Sequence, residues 1–369
     1  MNCYSFKNIP QITIIQIISL LFKIYMKAAI FSQHGLDNIK IIDIPLPEVK
    51  DNYVLIKIIK VGVNPIDYFS VSGFYGLNTE KKLVSSPMPH IAGMEISGII
   101  ETVGKSVIGF EKDDHVIVYN RIFDSICDQC ISGREMLCRN GSLIGVGVNG
   151  GFAEYITVPC ENIIKIPRSL DWNIASSLPV CALTAYHALN LSDLSAGENL
   201  VVFGASGSTG LFVTQFGKYK KANVIAVTRK RWLTQFGAHH LVFNDDNLLK
   251  HIFELTKGKF SDVVVNSIGK ETWSKALELL NYNGRLLTFG VLTGNLVELD
   301  IQPIYTKQIK IIGSNGGTRK ELEDIVKLSH NLKTKVWKEF SLNQIREALH
   351  SLFDKERDGR IIVNCELEF

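Results

Sequence analysis

The sequence lacks a strong net charge, a disulfide framework and any internal repeat. Its 40 Lys and Arg stand against 37 Asp and Glu, a formal net charge of +3, and interleaved charges of this kind do not predict a nucleic-acid surface. Seven cysteines in 369 residues are too few for a disulfide scaffold, and their one cluster has metal-ligand spacing. We therefore expect a reducing compartment, the cytoplasm.

A long membrane-spanning run is also lacking. The apolar stretch from Ile12 to Phe22 is shorter than the roughly 20 apolar residues that a spanning helix needs, and no A-x-A cleavage site follows it. Residues 1–25 would then be a surface helix, an uncleaved anchor or an extension upstream of a start at Met26. We favour the extension, because residues 26–31 already have the pattern of a first strand, and we expect no stable membrane span.

The rest of the chain changes its pattern once. Short β runs broken by Gly, Pro, Asn and Asp occupy residues 26–170 and predict an all-β, barrel-like unit. Strands alternate with helices over residues 171–317, which predicts a doubly wound parallel sheet of the Rossmann type. Residues 318–369 add a helix and a last strand, Arg360 to Val363. The expected fold class is therefore α/β plus β, in more than one domain.

A glycine-rich turn marks a dinucleotide site. Three glycines, Gly204, Gly207 and Gly210, follow an apolar strand and open a helix. The first glycine permits the tight turn, the second lets the backbone approach a diphosphate, and the third lets helix and sheet pack closely. The candidate cofactor contacts in this turn are Gly204, Ser206, Gly207, Ser208, Thr209 and Gly210.

The next strand bears on the choice of cofactor. It ends in Thr228, Arg229 and Lys230, where an NAD-dependent enzyme would present an acidic residue to the ribose. A hydroxyl and two cations can bind and neutralise a 2′-phosphate. We therefore predict NADP(H) rather than NAD(H).

The order of these units resembles the medium-chain dehydrogenase/reductase superfamily, the zinc-type alcohol dehydrogenase-like proteins, from Met26 to the C-terminus. The motifs that carry the resemblance are Pro89 to Glu95, Leu183 to Tyr186 and Val263 to Gly269. It implies a GroES-like catalytic domain over 26–170, a Rossmann domain over 171–317 and a segment, 318–369, that returns to the catalytic domain. It also implies that backbone at Asn266, Gly290 and Gly313 approaches the cofactor.

The resemblance also shows where a catalytic zinc would be bound. By an ungapped alignment its three ligand positions hold Asn64, Met94 and Val180, and none of these is a usual zinc ligand. Glu95 remains, and a one-residue shift would add Cys181, with no histidine to complete the set. We therefore predict no catalytic zinc, as in the quinone oxidoreductase and enoyl reductase branches that the chain most resembles.

A metal-free site favours conjugate reduction, because charge on a carbonyl oxygen must then be met by protein donors. The stretch from Asn64 to Gly76 resembles the enoyl thioester reductase segment that carries a proposed tyrosine acid, which suggests Tyr75 as the catalytic donor, with Tyr68 as the fallback. Asn64 would orient the nicotinamide or the substrate oxygen. The substrate would be a small carbonyl compound.

The cysteine cluster resembles the structural zinc lobe of the same superfamily, over residues 124–138. Cys127, Cys130 and Cys138 match three of its ligands, and Asp124 stands at the place of the fourth. Such a closed set of four ligands leaves no open position for substrate. We expect one structural zinc, with metal-free cysteines as the alternative.

Two alternative functions stay open at this point. One is a zinc alcohol dehydrogenase whose ligands the alignment misplaces, and the other is an NADPH-binding protein without turnover. The strand from Ile309 to Ile312 resembles an edge that pairs across subunits in the superfamily, so we expect a homodimer or homotetramer.

Overall fold

A computed structural model describes residues 25–74 and 87–366 of the chain. The strands of its N-terminal part are β1 Tyr25–Phe31, β2 Lys40–Pro45, β3 Tyr53–Gly62, β4 His90–Ile91, β5 Glu95–Val103, β6 His115–Val118, β7 Arg121–Ile122, β8 Ser142–Leu143, β9 Tyr155–Pro159 and β10 Ile163–Lys165. The short helices between them are α1 Pro65–Ser72 and α2 Asp128–Ile131. This part is almost entirely β structure, as predicted.

From residue 172 onward the chain contains both helices and strands, in mostly alternating order. The helices are α3 Trp172–Ala175, α4 Leu183–Leu191, α5 Ser208–Tyr219, α6 Leu248–Leu255, α7 Trp273–Glu278, α8 Gln302–Thr306, α9 Arg319–Leu328 and α10 Ile345–His350. The strands are β11 Asn199–Phe203, β12 Asn223–Val227, β13 His240–Val242, β14 Ser261–Asn266, β15 Leu280–Thr288, β16 Lys310–Gly313, β17 Val336–Ser341 and β18 Arg360–Asn364. A π-helical turn, Leu178–Ala182, leads into α4.

The Rossmann-type sheet has six parallel strands in the order β13-β12-β11-β14-β15-β16. Its central strand β11 is apolar at every residue after the first: Leu200 and Val202 enter the core on one face, and Val201 and Phe203 enter the core on the other. A parallel sheet covered on both faces requires such a continuous apolar run. The chain reverses its direction of winding between β11 and β14, and ligands bind at that crevice in open α/β sheets.

The mixed, mostly antiparallel sheet is built around β3. This strand pairs with β5 and β9, and the last strand of the chain, β18, pairs with it as well, in the order β10-β6-β5-β3-β18-β17. Ile362 lies opposite Gly62 in that pairing. The C-terminal segment therefore delivers the first residue of β18, Arg360, to the end of β3, where Asn64 follows two residues later.

The fold class predicted from the sequence is confirmed: a GroES-like β unit accompanies a Rossmann-type parallel sheet. The division at residues 170/171 and 317/318 remains a prediction, and residues 1–24 lie outside the described part. Among the described residues no helix has the length and apolar character needed to cross a membrane.

Candidate active site

The glycine-rich turn has the geometry that a dinucleotide site requires. Gly204, directly after β11, adopts a φ of +70°, which favours glycine. A side chain on Gly210 would place its Cβ 2.1 Å from the carbonyl oxygen of Gly204, so the strand and α5 can pack only with glycine there. Gly207 is the residue before α5 and has no side chain to cap it, so the first N–H groups of the helix are available to an anion.

The end of β12 shows an ion pair that the sequence analysis did not include, while the cofactor role of Thr228, Arg229 and Lys230 remains a prediction. Thr228 is buried and accepts the backbone N–H of Lys230 through its hydroxyl at 3.0 Å. Arg229 is exposed, as a 2′-phosphate ligand would be. The Lys230 ammonium, however, lies 3.1 Å from the carboxylate of Asp358, a residue that the sequence analysis did not single out.

Asp358 is shared by three groups. It also accepts a hydrogen bond from the indole N–H of Trp232 at 2.8 Å and pairs with Lys335 at 2.5 Å. Local sequence could not reveal this cluster, because Trp232 and Asp358 are 126 positions apart.

Two of the other predicted cofactor residues are tightly enclosed. The buried side-chain oxygen of Asn266 accepts the N–H groups of Ile268 and Gly269 at 3.0 and 2.9 Å, so its side chain holds a turn after β14. A Cβ on Gly290 would lie 2.2 Å from the carbonyl oxygen of Ser267. Gly313, by contrast, has open space around it. A role in cofactor binding remains a prediction for all three.

A buried arginine lies at the position where the superfamily resemblance predicts a catalytic metal. The guanidinium of Arg360 has no exposed surface. It donates to Glu95 Oε2 at 2.5 Å, to Cys181 Sγ at 2.7 Å and to Asn64 Oδ1 at 3.1 Å. Glu95 and Cys181 are also fully buried, and Asn64 is nearly so. A buried charge is tolerated when it is paired and hydrogen-bonded in this way.

Gly62 makes room for this cluster. A Cβ on that residue would lie 2.1 Å from Nη2 of Arg360 and 2.6 Å from Oε2 of Glu95. Any larger side chain at the end of β3 would therefore displace the ion pair.

The position assigned to Val180 is corrected by the structure. The thiol of Cys181, not Val180, faces the cluster, with Sγ 3.0 Å from Asn64 Oδ1. Both residues donate their backbone N–H to Glu95 Oε1, at 2.9 and 2.7 Å. Cys181 lies within the π-helical turn Leu178–Ala182, and such a turn holds one residue more than an α-helical turn.

Asn64 and Met94 are held in place by a buried carboxylate. Asp67 accepts the backbone N–H of Asn64 at 2.8 Å and that of Met94 at 3.0 Å. Burial raises the pKa of Asp67 to about 7, while these N–H groups act in the opposite direction. Each oxygen faces an N–H donor, so these two bonds offset part of the effect of burial and fix the orientation of the carboxyl group.

Of the two predicted tyrosines, Tyr75 lies outside the described residues. Tyr68 is half-buried in α1 and packs edge-on against Phe353, with the ring centroids 4.8 Å apart. The contact with Phe353 gives Tyr68 a packing role.

The cysteine lobe, residues 124–138, has a donor set that fits zinc. Ligand atoms of Asp124, Cys127, Cys130 and Cys138 all lie within 4.8 Å of one another. Sγ of Cys127 is 3.5 Å from that of Cys130 and 3.8 Å from that of Cys138; tetrahedral zinc with bonds of about 2.3 Å separates its sulfurs by about 3.8 Å. In the part of the chain that the structure describes, this is the one group of three or more such ligands.

Asp124 is oriented for this role by its hydrogen bonds. One oxygen accepts the N–H groups of Cys127 and Ile126, and the other accepts from Asn140 at 2.6 Å. These bonds hold the pKa of Asp124 well below its usual range, so the carboxylate is ionised and able to bind a cation.

We expect Asp124→Ala to weaken zinc binding by more than roughly 10- to 100-fold, the loss that follows removal of an outer-shell partner alone. Competition with a chromogenic chelator measures the affinity. Asp128→Ala is the matched control, because Asp128 lies in the same lobe but pairs with Arg139. Equal losses in the two variants would show that Asp124 is not a ligand.

Comparison with known proteins identifies the family. The description "Alcohol dehydrogenase GroES-like domain" matches residues 50–168, and "Zinc-binding dehydrogenase" matches residues 208–331. The structure of a thermostable alcohol dehydrogenase from Pyrobaculum aerophilum is 33% identical with a TM-score of 0.83, over 92% of this chain and 100% of that chain.

Two relatives differ in the reaction that they are named for. A protein of Sulfolobus acidocaldarius named "NAD-dependent alcohol dehydrogenase" is 29% identical over 348 residues, covering 92% of this chain and 99% of the relative. A protein of Sulfurisphaera tokodaii named "Acryloyl-coenzyme A reductase" is 27% identical over 335 residues, covering 88% and 96%. The chain belongs to the medium-chain dehydrogenase/reductase superfamily of zinc-type alcohol dehydrogenase-like oxidoreductases, as its motifs predicted.

Proposed function

We propose that this protein is an NADPH-dependent reductase of α,β-unsaturated carbonyl compounds or quinones that works without a catalytic zinc. The observation that carries the proposal is the guanidinium of Arg360, bonded at once to Glu95, Cys181 and Asn64. It lies among the side chains that would have to bind the metal.

The donor set at Arg360 does not fit a catalytic zinc. Such a zinc usually has three protein ligands, from His, Cys, Asp or Glu, and an open position for substrate. Here only Glu95 and Cys181 are of these types, and a guanidinium donor already points at each of them. Arginine offers donors and no lone pair, so it competes for the ligand atoms without replacing a ligand. Burial also raises the pKa of the Cys181 thiol, which disfavours the thiolate that zinc binds.

Without a Lewis acid, reduction of an activated C=C bond is the simpler reaction. NADPH, when bound, supplies the hydride that reaches the β-carbon of the substrate. Negative charge then develops on the carbonyl oxygen and has to be stabilised by donors that are already in place. We propose that the phenol of Tyr75 donates to this oxygen, since a phenol with a pKa near 10 is protonated at neutral pH.

Asn64 is proposed to position this site. Its side-chain nitrogen donates to Glu95 at 2.9 Å, and its oxygen lies beside Arg360 and Cys181. These bonds fix the start of α1, eleven positions before Tyr75 in the chain. Direct contact of Asn64 with the substrate or nicotinamide remains a prediction.

The proposed preference for NADPH rests on the end of β12. Lys230 and Lys335 both pair with the single carboxylate of Asp358, so these three side chains have a net charge of about +1. The exposed Arg229 adds a further positive charge. A 2′-phosphate would be attracted to this positive region.

We expect Arg229→Ala to raise the Kd for NADPH about tenfold, because a hydrogen bond between charged groups typically contributes a factor of this size, and to leave the Kd for NADH unchanged. Titration of the intrinsic fluorescence with each cofactor measures both constants. Arg231→Ala, which removes an exposed arginine two residues further on, is the control. Equal losses for NADPH and NADH in Arg229→Ala would refute the 2′-phosphate role.

A substrate panel tests the proposed reaction. Oxidation of NADPH is followed with enones, quinones and enoyl thioesters, and reduction of NADP⁺ and NAD⁺ is followed with primary and secondary alcohols. The proposal predicts turnover in the first set and none in the second. Tight binding of NADPH without any turnover would instead favour a non-catalytic binding protein.

A zinc alcohol dehydrogenase is the second candidate, and one observation favours it. Cys181 Sγ lies 3.5 Å from Glu95 Oε2, so two groups that can bind zinc are adjacent. Alcohol oxidation that is lost on chelation and restored by zinc would support this candidate over the first.

We also propose that the protein is a cytoplasmic homodimer or homotetramer. Strand β16 lies at the edge of the parallel sheet, and Ile311 on it is an exposed large apolar residue. An unpaired edge of this kind can pair with a second copy of the chain. Light scattering of the purified protein measures the number of subunits.

A further inference from the structure

A second arginine of the C-terminal segment, Arg357, reaches the glycine-rich turn. It lies in the loop between α10 and β18, and the loop is held by Asp354, which accepts the backbone N–H groups of Glu356 and Arg357 at 2.9 and 3.0 Å. The Arg357 guanidinium donates to the hydroxyl of Ser208, the first residue of α5, at 2.8 Å. A residue far along the chain therefore touches the start of the nucleotide-binding helix.

The charge of Arg357 has no acidic partner in the part of the chain that the structure describes. Its other two hydrogen bonds go to the backbone carbonyls of Leu352 at 3.1 Å and Gly359 at 3.0 Å. The neighbouring carboxylate, Asp358, is taken by Lys230 and Lys335. A guanidinium has five N–H donors, so three of them serve the protein and two remain.

The N-terminus of α5 and the guanidinium of Arg357 place positive charge side by side. The N-terminus of a helix carries about half a positive elementary charge, and Arg357 adds a full charge beside it. Burial, and then repulsion from Arg360, lowers the pKa of Arg357 to about 10. An anion bound between the helix and Arg357 would offset both the burial of the Arg357 charge and its repulsion from Arg360.

We infer that Arg357 binds the diphosphate of the nicotinamide cofactor with its two remaining N–H donors, opposite the N-terminus of α5. The inference rests on the proposed binding of a dinucleotide at this turn and adds a residue that the glycine motif does not contain. The cofactor then links the C-terminal segment to the parallel sheet, since Arg357 and Ser208 come from the two parts of the chain.

Binding of cofactor fragments to Arg357→Gln tests the inference. The glutamine is neutral and still able to form hydrogen bonds. The Kd for ADP-ribose, NADH and NADPH is expected to rise by roughly 10- to 100-fold in each case, the usual contribution of a hydrogen bond between charged groups. The Kd for 2′-AMP, which has no diphosphate, is expected to stay unchanged. Calorimetric titration measures all four constants.

Lys355→Gln is the matched control, because it removes an exposed cation from the same loop. If Arg357→Gln does not fold, Arg357→Lys replaces it; this variant keeps the charge and is expected to show a smaller loss for the same three ligands. Unchanged binding of ADP-ribose, or an equal loss for 2′-AMP, would overturn the inference. Because binding is measured without turnover, a protein that reduces no substrate would sink the proposed reaction and leave this result standing.

Discussion

Replacing Arg360 with methionine is expected to lower the free energy of unfolding by about 3–5 kcal/mol, the usual cost of removing one partner from a buried ion pair. The reason is Glu95, which has no exposed surface and would lose its bond to Nη2. Glu95 would keep the side-chain N–H of Asn64 and the backbone N–H groups of Val180 and Cys181, which compensate only part of the charge. Chemical denaturation of both proteins measures the difference.

The control for this prediction is Arg168→Met, an exposed arginine that donates to one backbone carbonyl. The double variant Glu95→Gln, Arg360→Met should recover part of the lost stability, because it leaves no uncompensated buried charge. A loss below about 1 kcal/mol in Arg360→Met, the size typical of a surface ion pair, would show that the cluster is not the buried ion pair described above.

Replacing Tyr75 with phenylalanine is expected to lower kcat by roughly 10²- to 10⁴-fold, the range for loss of a positioned proton donor. The Kd for NADPH should not change, because the phenol is assigned to the substrate oxygen and not to the cofactor. Steady-state kinetics with the best enone or enoyl thioester of the panel, together with a cofactor titration, separate the two effects.

Tyr68→Phe is the matched control, since Tyr68 lies on α1 and packs against Phe353. If its loss of kcat equals or exceeds that of Tyr75→Phe, the acid is Tyr68 and the assignment of Tyr75 is wrong. If neither variant differs from the parent protein, the enolate is stabilised by other donors.

Features that depend on neighbouring residues could be predicted from the sequence. The glycine turn and the apolar run of β11 are local patterns, and the cysteine spacing is a local motif. Each of these is found where it was predicted. The chain also carries enough of these motifs, in the right order, to identify the superfamily.

Features that depend on distant residues could not be predicted. Arg360 and Glu95 are 265 positions apart, and only the pairing of β18 with β3 brings them together. The one local signal was an arginine followed by three apolar residues in the last strand, because a charge buried among apolar residues requires a partner. Cys181 was named in the sequence analysis as the residue that a one-residue shift would add, and the structure decides for that register, because the Cys181 thiol faces Asn64.

The zinc content of the purified, zinc-saturated protein tests the central claim most directly. We predict one tightly bound zinc per chain, located in the lobe and lost in Cys130→Ser, with reduction of enones or quinones observed at that stoichiometry. Two zinc ions per chain, with the second retained in Cys130→Ser and lost when Cys181 is replaced by serine, would contradict the account.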